Sequence, residues 1–330
     1  MSRKKILQVL KEHPEEFVSG ESISEQLGIT RAAVWKGVDA LRKEGYEIES
    51  RTRRGYRLLT EPEILCAGDL TSRLCTEVVG RSIECFDRLD STNLYLKQAV
   101  LRKAENGHVV LAEEQTAGRG RCGRVFQSPR GKGLYLSALL MPKVSPAAMI
   151  PVTAAAAVAV CNAVERVCGV RPWIKWTNDL VLQGKKLCGI LTEMSIESES
   201  GALESVVVGI GVNVNQDAAD FEGEVADMAT SLKIVLGKTV SRAELAAAII
   251  EELDGLYGRI DTGFAGLLEE YRRDCITLGR QVQILGSGEP RLGTAVDIDD
   301  NFGLVVMHGD GSRETVRSGE VSVRGMYGYV

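Results

Sequence analysis

Apolar residues recur at helical spacing along the first 43 positions of the chain. Ile6, Leu7 and Leu10 lie on one face of a predicted helix over residues 4–12, and a short second helix is expected to end near Leu27. A turn over residues 28–30 precedes a third helix, predicted for residues 31–43 from its apolar spacing. The alternating residues 46–58 then predict a β-hairpin, so this region has the pattern of a helix-turn-helix followed by a hairpin.

The middle of the chain alternates between helical segments and apolar strands. Helices are predicted for residues 65–75, 94–103 and 146–168, and further helices for 241–260 and 264–275. Strands are predicted for residues 83–86, 133–140, 173–176, 180–182, 187–193 and 205–215. Consecutive strands linked by hairpins, with helices before and after them, predict an α+β fold with a largely antiparallel sheet.

From residue 281 onward the apolar pattern has a period of two, and short turns separate the runs. This pattern predicts a small all-β domain at the C-terminal end. A polar, proline-containing segment at residues 60–63 is typical of a linker. We therefore expect three domains, at residues 1–62, 63–275 and 276–330.

The composition is that of an ordinary globular protein, with 44% hydrophobic and 26% charged residues among 330. No apolar run approaches the roughly 20 residues of a membrane span, and the N-terminus lacks the pattern of a signal peptide. Eight scattered cysteines without a CxxC pair, and only three histidines, argue against disulfides and a transition-metal site. We expect a cytoplasmic protein with no membrane partner.

Positive charge is concentrated at the N-terminal end. Residues 1–60 carry 12 Lys and Arg against 9 Asp and Glu, although the whole chain has a net charge of −5. A basic third helix and a basic hairpin favour DNA binding, although small helix-turn-helix domains also serve as protein-interaction modules. The candidate DNA-binding residues are Arg31, Lys36, Arg42, Arg53, Arg54 and Arg57.

Glycine and arginine alternate over residues 118–124, after an apolar run at 109–111. Glycine lets backbone N–H groups approach a ligand, and arginine donates forked hydrogen bonds to phosphate or carboxylate. The spacing matches the dinucleotide-binding fingerprint by letter, but no helix pattern follows it, so we reject that interpretation. The alternatives are a loop that closes over an anion and a disordered loop without a ligand.

Further cations and polar residues extend this candidate site. Lys175 and Lys186 accompany Asn178 and Asp179, a combination that suits a nucleoside triphosphate with Mg²⁺. Each of these residues taken alone also fits a turn or a solvated hairpin tip. Residues 90–93 form a helix N-cap cluster, which also leaves polar groups available for a ligand. No Ser/His/Asp set appears, so we expect no covalent enzyme intermediate.

Five ordered segments carry a resemblance to a known family: residues 91–93 (STN), 115–121 (QTAGRGR), 175–179 (KWTND), 186–193 (KLCGILTE) and 209–215 (GIGVNVN). The chain resembles the bifunctional biotin–protein ligases that also act as repressors of the biotin operon. The resemblance covers the whole chain. It implies an N-terminal winged helix-turn-helix, a central mixed sheet with helices like that of biotin ligases and class II synthetases, and a C-terminal SH3-like β-barrel.

The resemblance implies a two-step ligation. The carboxylate of biotin attacks the α-phosphate of ATP to give biotinyl-5′-AMP, and a lysine of a carrier protein then takes the biotinyl group. By the family's pattern, Arg121 and Lys186 are catalytic. The charges of the candidate site assign Asp179 to the metal. The implied biotin contacts are Ser91, Thr92, Asn93, Gln115, Arg119, Gly120, Arg121 and Lys186. The implied ATP contacts are Gly118, Arg119, Arg121, Arg124, Lys175, Asn178 and Asn213.

The implied partners are the biotin carboxyl carrier protein of acetyl-CoA carboxylase, operator DNA, and a second copy of the chain when the adenylate is bound. Two alternatives stay open: a lipoate–protein ligase, and a biotin-sensing regulator that has lost catalysis. The sequence departs from the family's pattern at Cys122, where arginine is typical, and at Thr177, where proline is typical. These departures are expected to affect adenylate retention and the loop that carries Asp179.

Overall fold

A computed structural model describes residues 2–14, 16–43, 46–60, 64–262, 264, 266–285, 291–317 and 320–323. The chain divides into two compact units: residues 1–64 with 129–132, and the remainder. Residues 61–63 of the linker predicted at 60–63 lie outside the described residues, as do residues 286–290 in the C-terminal all-β region. The bounds of the three expected domains therefore stay predictions.

The N-terminal region has three helices and a hairpin, as expected. Their bounds are α1 (Ser2–Glu12), α2 (Gly20–Leu27), α3 (Arg31–Lys43), β1 (Glu47–Arg51) and β2 (Gly55–Thr60). Ser19 caps α2 with its side chain, and Gly28 ends this helix with φ +63°, a conformation that glycine adopts without strain. A core of apolar residues, Ile6, Leu10, Ile23, Val34 and Val38 among them, joins the three helices. This confirms the winged helix-turn-helix.

The central region is built on a seven-stranded sheet. Its elements in chain order are α4 (Ala67–Arg73), β3 (Ile83–Phe86), α5 (Thr92–Leu101), β4 (Val109–Ala112), β5 (Leu134–Leu140), α6 (Val152–Cys168), β6 (Trp173–Lys175), β7 (Asp179–Leu182), β8 (Lys185–Ile196) and β9 (Leu203–Val212). The strand order is β3-β4-β5-β9-β8-β7-β6. Only β3 and β4 are parallel, so the expectation of a largely antiparallel sheet is confirmed.

Four further helices follow the sheet: α7 (Val225–Met228), α8 (Leu232–Leu236), α9 (Arg242–Tyr257) and α10 (Leu267–Asp274). Helices α6 and α9 pack together, and their alanine-rich surfaces join the main apolar core. Helix α5 packs on β4, β5 and β9 through a separate small cluster that contains Leu96, Val110 and Val207. The sheet therefore lies between helices.

The expectation that no apolar run approaches the length of a membrane span is wrong. Residues 146–168 form 23 residues of helix that are long and apolar enough to cross a membrane by length and composition. Most of this segment is buried, because its alanine face lies against the sheet and α9. It opens with a 3₁₀ turn at Pro146–Met149 before α6 begins. The segment is a core helix of the central region.

The C-terminal region is a five-stranded antiparallel sheet: β10 (Gln281–Leu285), β11 (Arg291–Ile298), β12 (Leu304–Met307), β13 (Arg313–Val316) and β14 (Glu320–Val323). The strand order is β13-β12-β11-β10-β14. Its apolar face shares the main core with the central region. Trp176 illustrates this link, because its indole N–H donates to the carbonyl of Phe302 at 3.0 Å.

Candidate functional site

A polar cluster lies at the N-terminal end of α5. Ser91 is the N-cap residue, and its Oγ accepts a hydrogen bond from the Leu94 N–H at 3.5 Å. Thr92 and Asn93 are buried, at 3% and 4% exposure. Both lie next to Ser137 of β5, whose Oγ is 2.7 Å from Thr92 Oγ1 and 2.6 Å from Asn93 Oδ1. Two of the predicted biotin contacts, Thr92 and Asn93, therefore share one buried network, and Ser91 immediately precedes them.

Gln115 joins the same network from the end of the loop after β4. Its Oε1 accepts hydrogen bonds from Thr92 N at 2.9 Å and Thr92 Oγ1 at 3.1 Å. Its Nε2 donates to Ser128 Oγ at 3.0 Å. Gly209 on β9 leaves space for this network, since a Cβ there would lie 2.0 Å from Asn93 Oδ1. Thr92, Asn93 and Gln115, three of the residues predicted to contact biotin, therefore belong to one hydrogen-bonded network.

The glycine–arginine loop has a defined hairpin conformation, so disorder does not describe it. The Phe126 N–H donates to the Gly118 carbonyl at 2.9 Å, and the Gly120 N–H donates to the Arg124 carbonyl at 2.7 Å. A 3₁₀ turn at Arg121–Gly123 closes the tip. Gly118 is required sterically, because a Cβ there would lie 2.3 Å from the Phe126 carbonyl oxygen. No helix follows the loop, in agreement with the rejected dinucleotide fingerprint.

Phe126, at the end of this loop, covers glycines of the central sheet. A Cβ on Gly211 would lie 2.7 Å from its ring, and a Cβ on Gly189 would lie 3.4 Å from it. The same position at Gly189 is 3.4 Å from Lys186 Cε. The two glycines thus let an aromatic ring and the Lys186 stem lie side by side on β8 and β9.

The two residues predicted to be catalytic meet neighbouring polar groups. Arg121 Nη1 donates to Asn178 Oδ1 at 2.9 Å. The ammonium of Lys186 lies 2.8 Å from Asp179 Oδ1. Asn178 Nδ2 is fixed by the Ile190 carbonyl at 2.9 Å. The structure therefore joins the loop, the turn before β7 and the start of β8 into one charged group.

Glu193 on β8 links the polar cluster to the loop. Its carboxylate accepts from Asn93 Nδ2 at 3.0 Å and from Lys97 Nζ at 2.9 Å, and it lies 3.9 Å from Arg119 Nη1. Burial would raise the pKa of this carboxyl, but the hydrogen bonds from Lys97 and Asn93 and the two cations outweigh it and hold the pKa below its usual value. Glu193 is therefore an ionised anchor beside the candidate biotin site.

Four other predicted contacts lie nearby with different surroundings. Lys175 pairs in register with Asp179 between β6 and β7, and Arg124 is exposed on the loop. Asn213 is buried at 5% exposure, where its Oδ1 accepts from Gln216 Nε2 at 3.2 Å. Gly120 has space around it, since a Cβ would meet nothing closer than the Arg124 carbonyl oxygen at 3.4 Å. Their predicted roles in ATP or biotin binding stay predictions.

The turn that carries Asp179 is held despite the departure at Thr177. The Thr177 carbonyl accepts from the Tyr271 hydroxyl at 3.1 Å, and the Trp176 N–H donates to Thr277 Oγ1 at 3.0 Å. Asp179 is the carboxylate that pairs with Lys186 here. Among the described residues, no group of three or more His, Cys, Asp or Glu side chains is placed to hold a metal ion.

The candidate DNA-binding residues have different environments. Lys36 is exposed on α3, and Arg31 forms an ion pair with Glu21. Arg42 is used inside the domain, because its Nε donates to the Ile48 carbonyl at 3.0 Å. The other three lie on the hairpin: Arg53 at the tip with φ +65°, Arg54 and Arg57.

Sequence reasoning missed several residues of the site. Phe126 and Ser137 carry no local pattern that separates them from ordinary apolar and strand positions. Glu113 and Arg242 form a buried ion pair at 2.8 Å, 129 residues apart in the chain. Their exposures are 7% and 1%, and Glu113 Oε1 also accepts from the Leu65 N–H at 2.8 Å. Glu113 lies two residues before Gln115. The ion pair with Arg242 therefore anchors the end of β4 and the segment that carries Gln115.

Three family models match the chain: an HTH domain at residues 2–57, the biotin/lipoate A/B protein ligase family at 85–213, and the biotin protein ligase C terminal domain at 277–324. The chain is 36% identical over 313 residues to the bifunctional ligase/repressor BirA of Bacillus subtilis, covering 94% of this chain and 96% of that protein. It is 30% identical to the bifunctional ligase/repressor BirA of Escherichia coli, covering 94% of each.

Among solved structures, the biotin protein ligase from Aquifex aeolicus in complex with biotin and ATP is similar. The TM-score is 0.63 at 30% sequence identity, over 74% of this chain and 99% of that chain.

Proposed function

This chain belongs to the family of bifunctional biotin–protein ligases and biotin repressors, and from that premise we propose how its residues divide the work. The protein is an ATP-dependent biotin–protein ligase and a DNA-binding transcriptional repressor. The observation that carries the assignment of residues is the convergence of Arg121 and Lys186 on the turn at Asn178 and Asp179. The buried Thr92–Asn93–Gln115 network supports a polar ligand on the adjacent strands.

We propose that biotin's ureido group replaces part of this polar network. Thr92, Asn93 and Gln115 offer hydroxyl and amide groups that can donate and accept, as a ureido ring requires. Ser91 fixes the helix start, and Ser137 and Glu193 orient Asn93. Phe126 supplies an apolar surface for the rest of the ligand above Gly211.

The chemical steps follow from the charges. In the first, an oxygen of the biotin carboxylate attacks the α-phosphorus of ATP, and the bond to the bridging oxygen breaks to release pyrophosphate. Negative charge grows between the two reactants, and Arg121 and Lys186 stabilise it by positioned hydrogen bonds and charge. In the second, a carrier lysine attacks the acyl carbon, loses a proton and displaces AMP.

To stabilise the reacting carboxylate and phosphate, the Lys186 ammonium must turn partly away from Asp179. Its ion pair at 2.8 Å holds the ammonium beside the position we assign to the α-phosphate. Arg119 and Arg124 lie on the same loop, and we assign them, with Gly118, Lys175 and Asn213, to the nucleotide and its phosphates. Arg119 and Gly120 also border the biotin site, on the side of Glu193.

Mg²⁺ fits this donor set as an ion held mainly by substrate. Asp179 supplies a carboxylate to the group, and Mg²⁺ in nucleotide sites commonly takes one or two carboxylates together with phosphates and water. We propose Asp179 as that ligand once Lys186 turns toward substrate. When bound, the ion would neutralise phosphate charge and favour release of pyrophosphate.

For the repressor, we propose that α3 and the β1–β2 hairpin bind the biotin operator, with Arg31 and Lys36 nearest the bases and Arg53, Arg54 and Arg57 at the phosphates. Arg42 supports them from inside the domain. The acceptor in the ligase reaction is the biotin carboxyl carrier protein of acetyl-CoA carboxylase. The adenylate-bound form is a homodimer, and the protein works in the cytoplasm.

Labelling of carrier lysines with biotin and with lipoate, each with ATP, tests the ligase. Transfer of biotin alone is expected, whereas transfer of lipoate would favour the lipoate ligase alternative. Biotin-dependent release of pyrophosphate separates an enzyme from a sensor without catalysis. A protein lacking residues 1–62 is expected to ligate biotin and to give no operator gel shift. A gel shift by that truncated protein would refute the assignment of operator binding to residues 1–62.

A further inference from the structure

A cluster of three arginines surrounds one aromatic ring in the N-terminal region. The guanidinium carbons of Arg51, Arg54 and Arg57 lie 5.1, 5.0 and 4.9 Å from the centroid of the Phe17 ring. The same residues and Glu16 line a cavity of roughly 390 Å³. We propose that Phe17 is a positioning residue that assembles these arginines into one binding site for the DNA phosphate backbone. The inference rests on the proposed DNA-binding function and adds Phe17, Glu49 and Arg51 to it.

The chain places Phe17 beside the hairpin by a backbone link. Val18 and Tyr56 exchange two hydrogen bonds, of 2.8 and 2.9 Å, which attach the segment before α2 to β2. Gly55, with φ +107°, permits this approach, because a Cβ there would lie 2.0 Å from the Val18 carbonyl oxygen. Phe17 therefore lies at a fixed position under the hairpin, and its ring is a rigid surface for side chains that project from residues 51–57.

The charges in the cluster are not balanced. Glu49 accepts from Arg51 Nε at 2.7 Å and from Arg57 Nη2 at 2.6 Å. These hydrogen bonds hold the pKa of the Glu49 carboxyl below its usual value, so it stays ionised. Arg54 has no ion pair with a carboxylate among the residues that the structure describes; its contact there is with the Phe17 ring. Among the residues that the structure describes at the ring and the cavity, three arginines accompany two carboxylates, Glu16 and Glu49.

Binding of a polyanion explains this arrangement of arginines better than a contribution to folding stability does. Three like charges around one ring repel each other, and exposed cation–π contacts and exposed ion pairs offset that repulsion only weakly. Arginine's planar fork matches phosphate oxygens, and an aromatic surface reduces its freedom before binding. In the proposed DNA-binding mode, the β1–β2 hairpin lies at the DNA backbone, where arginine contacts are mostly to phosphate. We therefore favour DNA phosphates over a free phosphate ion as the ligand.

The test uses the full-length protein and a fluorescent duplex of random sequence, with the dissociation constant measured by anisotropy between about 50 and 200 mM salt. Phe17→Leu retains every charge and an apolar side chain but removes the ring. It is expected to weaken binding about five- to tenfold, and Phe17→Tyr is expected to bind like the wild type. Arg54→Gln is expected to reduce the salt slope by about 1. Equal affinity of Phe17→Leu and the wild type would overturn the proposal.

Two further measurements keep the outcomes distinct. Unchanged biotin transfer and an unchanged thermal transition show that Phe17→Leu is folded. Sodium phosphate is compared with sodium chloride at the same ionic strength. A phosphate-dependent rise in the thermal transition of the wild type that Phe17→Leu lacks, with equal DNA affinity in the two proteins, would assign the cluster to free phosphate and refute the DNA assignment. Because phosphate contacts do not depend on sequence, the random duplex tests the cluster itself. Loss of preference for the operator over that duplex would instead count against the repressor function.

Discussion

The Lys186 ammonium lies 2.8 Å from Asp179 Oδ1, one residue after the Asn178 side chain that accepts from Arg121. Two cations from separate parts of the chain therefore approach adjacent residues of a single turn. Such an arrangement can hold two anionic groups against each other, which is what the condensation of a carboxylate with a phosphate requires. It also allows the contribution of each cation to be measured separately.

Lys186→Ala is expected to slow adenylate formation by about 10²- to 10³-fold, the usual effect of removing one positioned donor from a developing charge. Asp179 would also lose its partner at 2.8 Å. The rate is measured as biotin-dependent pyrophosphate release. Lys185→Ala is the matched control, because Lys185 is the exposed preceding residue on β8. A near-normal rate for Lys186→Ala would reject the assigned role.

Arg121→Gly is expected to weaken retention of the adenylate, since it removes the contact at 2.9 Å that attaches the loop to Asn178. Free adenylate acylates lysines indiscriminately, so the readout is biotinylation of a bystander protein without a carrier domain. Val125→Ala is a suitable control on the same loop, because Val125 is 75% exposed and its link to Arg119 is through the backbone. If selectivity for the carrier were unchanged in Arg121→Gly, loop closure by this residue would be ruled out.

The sequence predicted the order of elements well, because apolar spacing follows the period of each helix and strand. The largely antiparallel sheet and the hairpin-linked strands β6 to β9 came from this pattern alone. The polar residues at 91–93 could be found as a helix cap. The contacts of Asn93 with Ser137 and Glu193 could not be predicted. These residues are 44 and 100 positions from Asn93 in the chain, and only the order of the strands in the sheet brings them together.

Predictions for arginine side chains had two different outcomes, and both have the same physical reason. The arginines of the loop were recognised from their alternation with glycine, and Arg121 does reach Asn178. Arg42 also looked like a DNA contact, yet its guanidinium donates to Ile48. A long side chain can turn inward or outward, and local sequence does not record which carbonyl lies within reach. The buried Arg242 was missed for this reason as well.

Arg242→Met is expected to destabilise the central region by about 3–5 kcal/mol, because Glu113 is left charged and buried without its partner. Both side chains are at most 8% exposed. Adding Glu113→Gln should recover most of the loss, since the amide oxygen can still accept from the Leu65 N–H without a buried charge. Denaturant unfolding measures both. Arg73→Ala, which breaks an exposed pair with Asp69, should change stability by less than about 0.5 kcal/mol. A similar small effect of Arg242→Met would contradict the prediction.

Gly209→Ala tests the assignment of Asn93 to biotin by steric means alone. The new Cβ would lie 2.0 Å from Asn93 Oδ1, so the amide must move away from Ser137 and Glu193. Overpacking of this kind costs roughly 1–3 kcal/mol, and where the displaced group contacts a ligand, KM for biotin should rise about tenfold or more.

The matched control for this substitution is Gly255→Ala in α9, where a Cβ would meet no atom within 4 Å. It removes a helix-interior glycine and should leave KM unchanged while raising stability by about 0.5–1 kcal/mol. KM for ATP should change little in Gly209→Ala, because the Arg121–Asn178 contact is not involved. An unchanged KM for biotin in a folded Gly209→Ala protein would mean that Asn93 does not contact biotin. The buried network at the start of α5 would then serve only to hold the helix on the sheet.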